Sequence, residues 1–274
     1  MSNVFNLKRF GNYFAYDCRR AWNLFGLTLI LAALAPVIIF IIQQLFSLVL
    51  DGHMSETNVG VHLGFLVLGA AVVAMIAPST IYGSLTEKKS GSSWLMIPAS
   101  SFEKWLSMSL VLTLVIIAAF CLVFFAGDGI MSLLFPGTYG SWTASEISSA
   151  YSKYLNALNT NEMPITINFP ALLFTGMAEW VLVFAIGALY FKRAKIAKTI
   201  LVLICISIIL GIIISFIMVH GGADFIRNLI EKLEIELDPG KLITSFNVVL
   251  NIRTLIVLGG LLAWLFFRIK TLKH

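Results

Sequence analysis

Charge is what this chain has least of: only 12% of its 274 residues are Asp, Glu, Lys or Arg, while 59% are hydrophobic and the mean hydropathy is +0.92. Soluble domains carry roughly one-quarter charged residues, so a soluble globular class is excluded. Cysteine is nearly as scarce. Cys18, Cys121 and Cys205 stand far apart with no CxxC spacing, which excludes a thiolate metal centre and a disulfide framework. The four histidines, His53, His62, His220 and His274, fall at loops or at the ends of apolar runs, and no HExxH, paired intramembrane acids or GxSxG is present. A membrane-embedded hydrolase therefore lacks its parts. The phosphate loop GxxxxGK[ST] is missing too, since Pro239-Gly240-Lys241 has neither the upstream glycine nor the hydroxyl. The chain is expected to be no enzyme, with no catalytic, metal or cofactor site of its own.

Long apolar runs are what it has in abundance. A bilayer core about 30 Å thick needs roughly 20 apolar residues in a helix. Six runs meet that length, near 24–50, 63–85, 105–126, 169–191, 199–219 and 246–267. None is interrupted by turn clusters or alternates as barrel strands do, so the expected fold is an all-α integral membrane protein of six transmembrane helices forming one transmembrane domain, 1–274.

Basic residues orient it. Fourteen of the 19 Lys and Arg lie before the first run, between the second and third, between the fourth and fifth, or at the carboxyl end. Only Lys153, Arg227, Lys232, Lys241 and Arg253 fall on the other side. The positive-inside rule then places both termini in the cytoplasm of a multi-pass inner-membrane protein. The formal charge of +5 reads as this bias, with some attraction to anionic lipid, and not as a nucleic-acid surface. Ala33-Leu34-Ala35 has the small-x-small form of a signal-peptide cleavage site, but the preceding segment is long, the apolar run continues, and Pro36 follows directly. Cleavage is not expected.

Several segments flank the runs. Leu7, Phe10, Phe14, Cys18 and Ala21 recur at three- and four-residue intervals, predicting an amphipathic helix over 1–23 that lies in the inner interface. Two external loops are expected, 127–168 and 220–245. The first is polar, with turn signals at Pro136-Gly137 and Tyr139-Gly140 and a helical stretch around Ser145 to Leu158. In the second, Phe225, Leu229, Leu233 and Leu237 repeat every four residues, predicting a short outer helix. Ser207, Gly211 and Ser215, and Gly259-Gly260, are small-residue faces suited to helix packing within the chain or with a second copy. Glu179 is the acid expected deep in a span, either lining a pathway or hydrogen-bonded in the bundle.

The most informative segment is 86–104. Thr86-Glu87-Lys88-Lys89-Ser90-Gly91 leads into Ser92-Ser93-Trp94-Leu95-Met96-Ile97, and Pro98 ends the run. Ser100 and Glu103 have the spacing of a capping box, so the third span is expected to start there, with Phe102 and Trp105 at the interface. The order Glu87-Lys88-Lys89-Ser90-Gly91-Ser92, an apolar stretch, Pro98-Ala99-Ser100, then Lys104, resembles the inner loop of type-2 ATP-binding-cassette permeases. The six-span topology agrees with that family.

What the resemblance implies is a cytoplasmic coupling helix between spans two and three that seats in a separate nucleotide-binding subunit. Glu87, Lys88, Gly91, Trp94, Pro98, Ser100 and Lys104 become candidates for contacting or positioning that ATPase. ATP and Mg would be bound by the partner, and this chain would pair with a second permease copy, as a homodimer or with a related chain. Export of a lipid, glycan, peptide or drug is the implied activity. The alternative is a membrane scaffold or sensor subunit that uses the same loop to hold a soluble partner and moves nothing.

Overall fold

The structure is a computed structural model that describes residues 5–50, 52–56, 59–87, 91, 94, 96–160, 169–222, 228 and 239–271. All the regular elements among these are helical. They are α1 (Leu7–Ala33), α2 (Ala35–Leu50), α3 (Val59–Ile81), α4 (Ser101–Leu134), α5 (Thr143–Thr160), α6 (Phe169–Tyr190), α7 (Lys195–Ile217) and α8 (Pro239–Thr271). A 3-10 turn, Gly83–Thr86, follows α3, and a π turn, Val111–Val115, lies inside α4.

Helix α1 starts where Asn6 folds its side chain over the free Lys8 and Arg9 amides. Its buried residues Tyr13, Asp17, Ala21, Phe25, Leu29 and Ala33 are spaced by four, so the buried stripe winds slowly around a helix of 3.6 residues per turn. The expectation of a separate interfacial helix over 1–23 followed by a span over 24–50 is corrected here. The helix runs unbroken from Leu7 to Ala33, and the break falls at Leu34, where α1 and α2 meet at a 46° bend. Pro36 explains it: a proline ring has no amide hydrogen and pushes away the carbonyl four residues earlier, that of Ala32. Gly69 of α3 lies against that carbonyl, since a Cβ there would sit 3.2 Å from Ala32 O and 3.1 Å from the Phe120 ring.

The core fills the space between α1, α3, α4, α6 and α8, with Phe25 and Leu29 meeting Val73, Ala77 and Ile81, then Met108, Leu112, Phe120 and Phe124, and Leu182, Ala185 and Leu189. Among the described residues four helices are long and apolar enough to cross a membrane, five when the bent pair α1–α2 counts as one. These helices fit a multi-pass membrane protein. At the fourth expected span, the apolar helix qualifying in α6 is the shorter Phe174–Tyr190. The third expected span, 105–126, is longer than the sequence suggested: α4 continues to Leu134, and the expected loop from 127 begins only after it. The helix expected around Ser145 to Leu158 is present as α5. Phe225, Leu229, Leu233 and Leu237 lie outside the described residues.

Helices α6 and α7 cross at Gly187, where an added Cβ would overlap the Thr199 hydroxyl, itself buried and bonded to Lys195 O at 2.8 Å. Gly187→Val is therefore expected to cost about 1–3 kcal/mol as overpacking, read as a lower thermal midpoint of the purified chain. Gly211→Val, where a Cβ meets nothing within 4 Å, is expected to leave that midpoint in place. Equal midpoints for the two variants would show that the crossing is not tight. Ser207, Gly211 and Ser215 are exposed on α7, as Gly259 and Gly260 are on α8, so among the described residues neither small-residue face is packed against another helix.

Candidate functional site

One end of the bundle gathers the basic residues and the 86–104 segment. Arg20 of α1 donates to Ile81 O at 3.1 Å and Ser84 Oγ at 3.2 Å, holding the end of α3 and the turn after it. Lys195 of α7 donates to Gly83 O in the same turn. Arg268 of α8 donates to Leu189 O through Nε at 3.1 Å and Nη2 at 2.9 Å. Arg20 and Arg268 meet carbonyls at the ends of α3 and α6, which is favourable both as a hydrogen bond and with respect to the helix dipole, while Lys195 joins the Thr86 hydroxyl on Gly83 O.

The expected capping box is present in full. Ser100 Oγ accepts from Glu103 N at 3.2 Å and Glu103 Oε2 accepts from Ser100 N at 2.7 Å. Glu103 does more than cap. Fully buried, it takes Arg9 in a two-pronged pair, Nε to Oε2 at 2.9 Å and Nη2 to Oε1 at 2.8 Å, together with the Asn6 amide at 3.0 Å. The start of α1 is thereby fastened to the start of α4 by the geometry that makes Arg–carboxylate pairs strong.

The segment between α3 and α4 is seated from inside by two of the expected residues. Trp94, 4% exposed, donates Nε1 to Tyr13 Oη at 3.0 Å. Lys104, 5% exposed, donates Nζ to Trp94 O at 2.9 Å, with its ammonium 4.7 Å from the centroid of the indole ring. Gly91 is buried as well, its amide donating to Glu87 O at 2.8 Å. Among the residues expected to contact or position an ATPase, Gly91, Trp94 and Lys104 thus face the chain itself, and they position the segment. Glu87, Met96 and Pro98 face outward, Glu87 with its carboxylate 3.8 Å from Lys195 Nζ and Met96 78% exposed. Ser100 is half-buried in its cap. Lys88 lies outside the described residues. Beside Ile97 and Pro98 opens a groove of about 670 Å³, bordered across α1 by Asn6, Lys8, Asn12 and Tyr16.

Beneath this platform sits an acid that the sequence reading passed over. Asp17 is fully buried, and its Oδ2 accepts from Tyr82 Oη at 2.7 Å and Ser107 Oγ at 2.8 Å, tying α1, α3 and α4 together. Its sequence signal was available, since Asp17 falls on the same every-fourth-residue stripe as Tyr13, Ala21 and Phe25.

The opposite end holds another buried acid. Asp128, in α4, accepts from Tyr139 Oη at 2.9 Å and from Thr143 N at 2.8 Å, and its Oδ1 lies 3.2 Å from His62 Nδ1 of α3. Thr143 is the first residue of α5, so Asp128 caps that helix from a distant part of the chain. Burial pushes the Tyr139 hydroxyl above its ordinary range and the Asp128 carboxylate pushes it the same way, which keeps it protonated as a donor. His62 is buried in the first turn of α3, at the end of an apolar run. Glu179 of α6 is paired with Arg253 of α8 at 3.7 Å.

Among the described residues no group of three or more His, Cys, Asp or Glu is placed to hold a metal ion. Compared with protein-family models, with curated proteins and with solved structures, the chain finds no match in any of the three.

Proposed function

We propose that this chain is the membrane permease subunit of a type-2 ATP-binding-cassette transporter, an exporter whose 86–104 segment transmits force from a separate ATPase. The observation that carries the reading is the way this segment is mounted. Trp94 and Lys104 fasten it to α1 and α4, while Glu87, Met96 and Pro98 remain on its outer face. A lever must be rigid toward the body it moves and open toward the body that moves it, and this division of residues meets both requirements. A push on Met96 or Pro98 is delivered through Trp94 to Tyr13, and so to the helix that carries the Asp17 and Glu103 connections.

In this reading six spans cross the inner membrane with both termini and the basic end in the cytoplasm, as the positive-inside rule demands. Two copies, identical or related, flank a pathway, and the exposed small faces of α7 and α8 suit such a contact. ATP-driven closure of the ATPases biases the helices between inward and outward arrangements.

The test is recovery of vanadate-sensitive ATP hydrolysis with the tagged full chain from its native membranes. Met96→Glu and Glu87→Lys each alter a charge on the outer face without touching the Trp94–Tyr13 or Lys104 contacts. Each is expected to reduce recovered hydrolysis several-fold, while Ser141→Lys at the opposite end leaves it unchanged. Hydrolysis recovered equally with all three variants would remove the docking role. The chain would then stand as a membrane scaffold or sensor.

A further inference from the structure

Helices α6 and α8 run parallel, since Leu189 meets Arg268 near one end of the bundle and Glu179 meets Arg253 further along both helices. Their seam is lined by polar side chains. At the basic end Trp264 Nε1 donates to Tyr190 Oη at 3.0 Å, and the Arg268 guanidinium lies 4.3 Å from the Tyr190 ring centroid. Farther along, Arg253 Nη2 lies 3.7 Å from Glu179 Oε2. The seam is also open: the Arg253 side chain is 60% exposed, Trp264 52% and Tyr190 46%, while Glu179 is only 16% exposed.

The helical rise of 1.5 Å per residue gives the depth. Counting from the Leu189–Arg268 contact, Glu179 stands about 15 Å along α6 and Arg253 about 22 Å along α8. Both contacts are made by long side chains, so the Glu179–Arg253 pair lies along the helices well away from the basic end. An ionised group in hydrocarbon costs several kcal/mol and calls for a partner of opposite charge. An arginine more than half exposed, with one carboxylate at the long end of ion-pair distance, has donors left for an anion. With Glu179 against Arg253 and Arg268, the seam carries an excess of one positive charge.

We propose that the α6/α8 seam binds an acidic phospholipid-like amphiphile, whose anionic headgroup is accepted by Arg253 and whose acyl chain lies along Trp264 and Tyr190. Glu179 holds the guanidinium in place between binding events and yields it to the headgroup. The inference deepens the transporter reading by giving its substrate class, and rests on that reading only in treating the bound amphiphile as cargo.

Binding is measured without any ATPase, so its failure is separate from failure of the docking test. The purified full chain is equilibrated with equal amounts of dioleoyl phosphatidylglycerol and dioleoyl phosphatidylcholine, and the bound ratio is read by native mass spectrometry. The wild type is expected to favour phosphatidylglycerol about tenfold, the scale of one charge-assisted hydrogen bond. Arg253→Gln should bring the ratio near one, and Glu179→Gln should raise it. A Lys8→Gln/Arg19→Gln variant, altered only at the basic end, should keep the wild-type preference. A preference that survives Arg253→Gln, or that disappears only in the Lys8/Arg19 variant, overturns the proposal. Where Arg253→Gln does not fold, the wild type decides: brominated phosphatidylglycerol should quench tryptophan fluorescence more than brominated phosphatidylcholine, and the excess should vanish in Trp264→Phe. Equal quenching by the two lipids has the same overturning force.

Discussion

Asp128→Ala is expected to destabilise the protein by about 3–5 kcal/mol, because it strips partners from several groups that have no water to turn to. The carboxylate is fully buried and serves the Tyr139 hydroxyl, the Thr143 amide and the His62 ring, which come from three separate segments. Losing it leaves Tyr139 without its acceptor beneath Phe40 and His62, whose rings stand 4.8 and 4.2 Å away by centroid. It also uncaps α5. Asp128→Asn keeps an oxygen for one donor and is expected to cost only about 1–2 kcal/mol. Thermal unfolding in detergent separates the cases: the midpoint should fall sharply for alanine and modestly for asparagine, and proteolysis should open 135–160 first. If alanine and asparagine behave alike, the cluster does not hold this end of the bundle together.

That cluster also shows where sequence reading stops. Asp128 lies between Gly127 and Gly129, and two glycines around an acid after an apolar run look like the start of a loop. The helix continues because those glycines are sites of close packing and not of turning. A Cβ on Gly127 would meet Leu34 Cδ2 at 2.6 Å, and one on Gly129 would meet Trp142 Nε1 at 3.2 Å. Neither neighbour is near in sequence. The Ser100–Glu103 box was legible because both partners lie within one turn, whereas Glu103 and Arg9 are 94 residues apart in the chain. Apolar runs gave the helices in the same local way. The bend at Leu34 had its cause, Pro36, in plain view, but a proline early in an apolar run marks a possible kink without fixing which helix turns away. Trp94 and Lys104 stand in the 86–104 segment, where the sequence marks them as candidates to contact or position a partner. Only the packing against Tyr13 shows that they face inward.

Trp94→Ala is the second large effect, and it separates a residue that positions the segment from one that touches a partner. Truncating a buried tryptophan removes about 3–5 kcal/mol of packing where it sits, and here it also deprives Lys104 of the ring beneath its ammonium and Tyr13 of its donor. The loss is local, because Trp94 sits at one end of the core while Phe120, Phe124 and Leu182 lie deeper. Hydrogen exchange is expected to rise across 87–100 with little change in α4 beyond Leu112. Trp94→Phe keeps a ring for Lys104 but loses both the hydrogen bond to Tyr13 and part of the buried ring, about 1–3 kcal/mol together. Under the lever reading, Trp94→Ala lowers recovered ATP hydrolysis as far as Met96→Glu does, although Trp94 itself is hidden from any partner. Met96→Glu achieves the same loss with the segment still protected from exchange. A Trp94→Ala chain whose segment exchanges freely while ATPase recovery stays at the wild-type level would show that the segment's mounting has no part in docking.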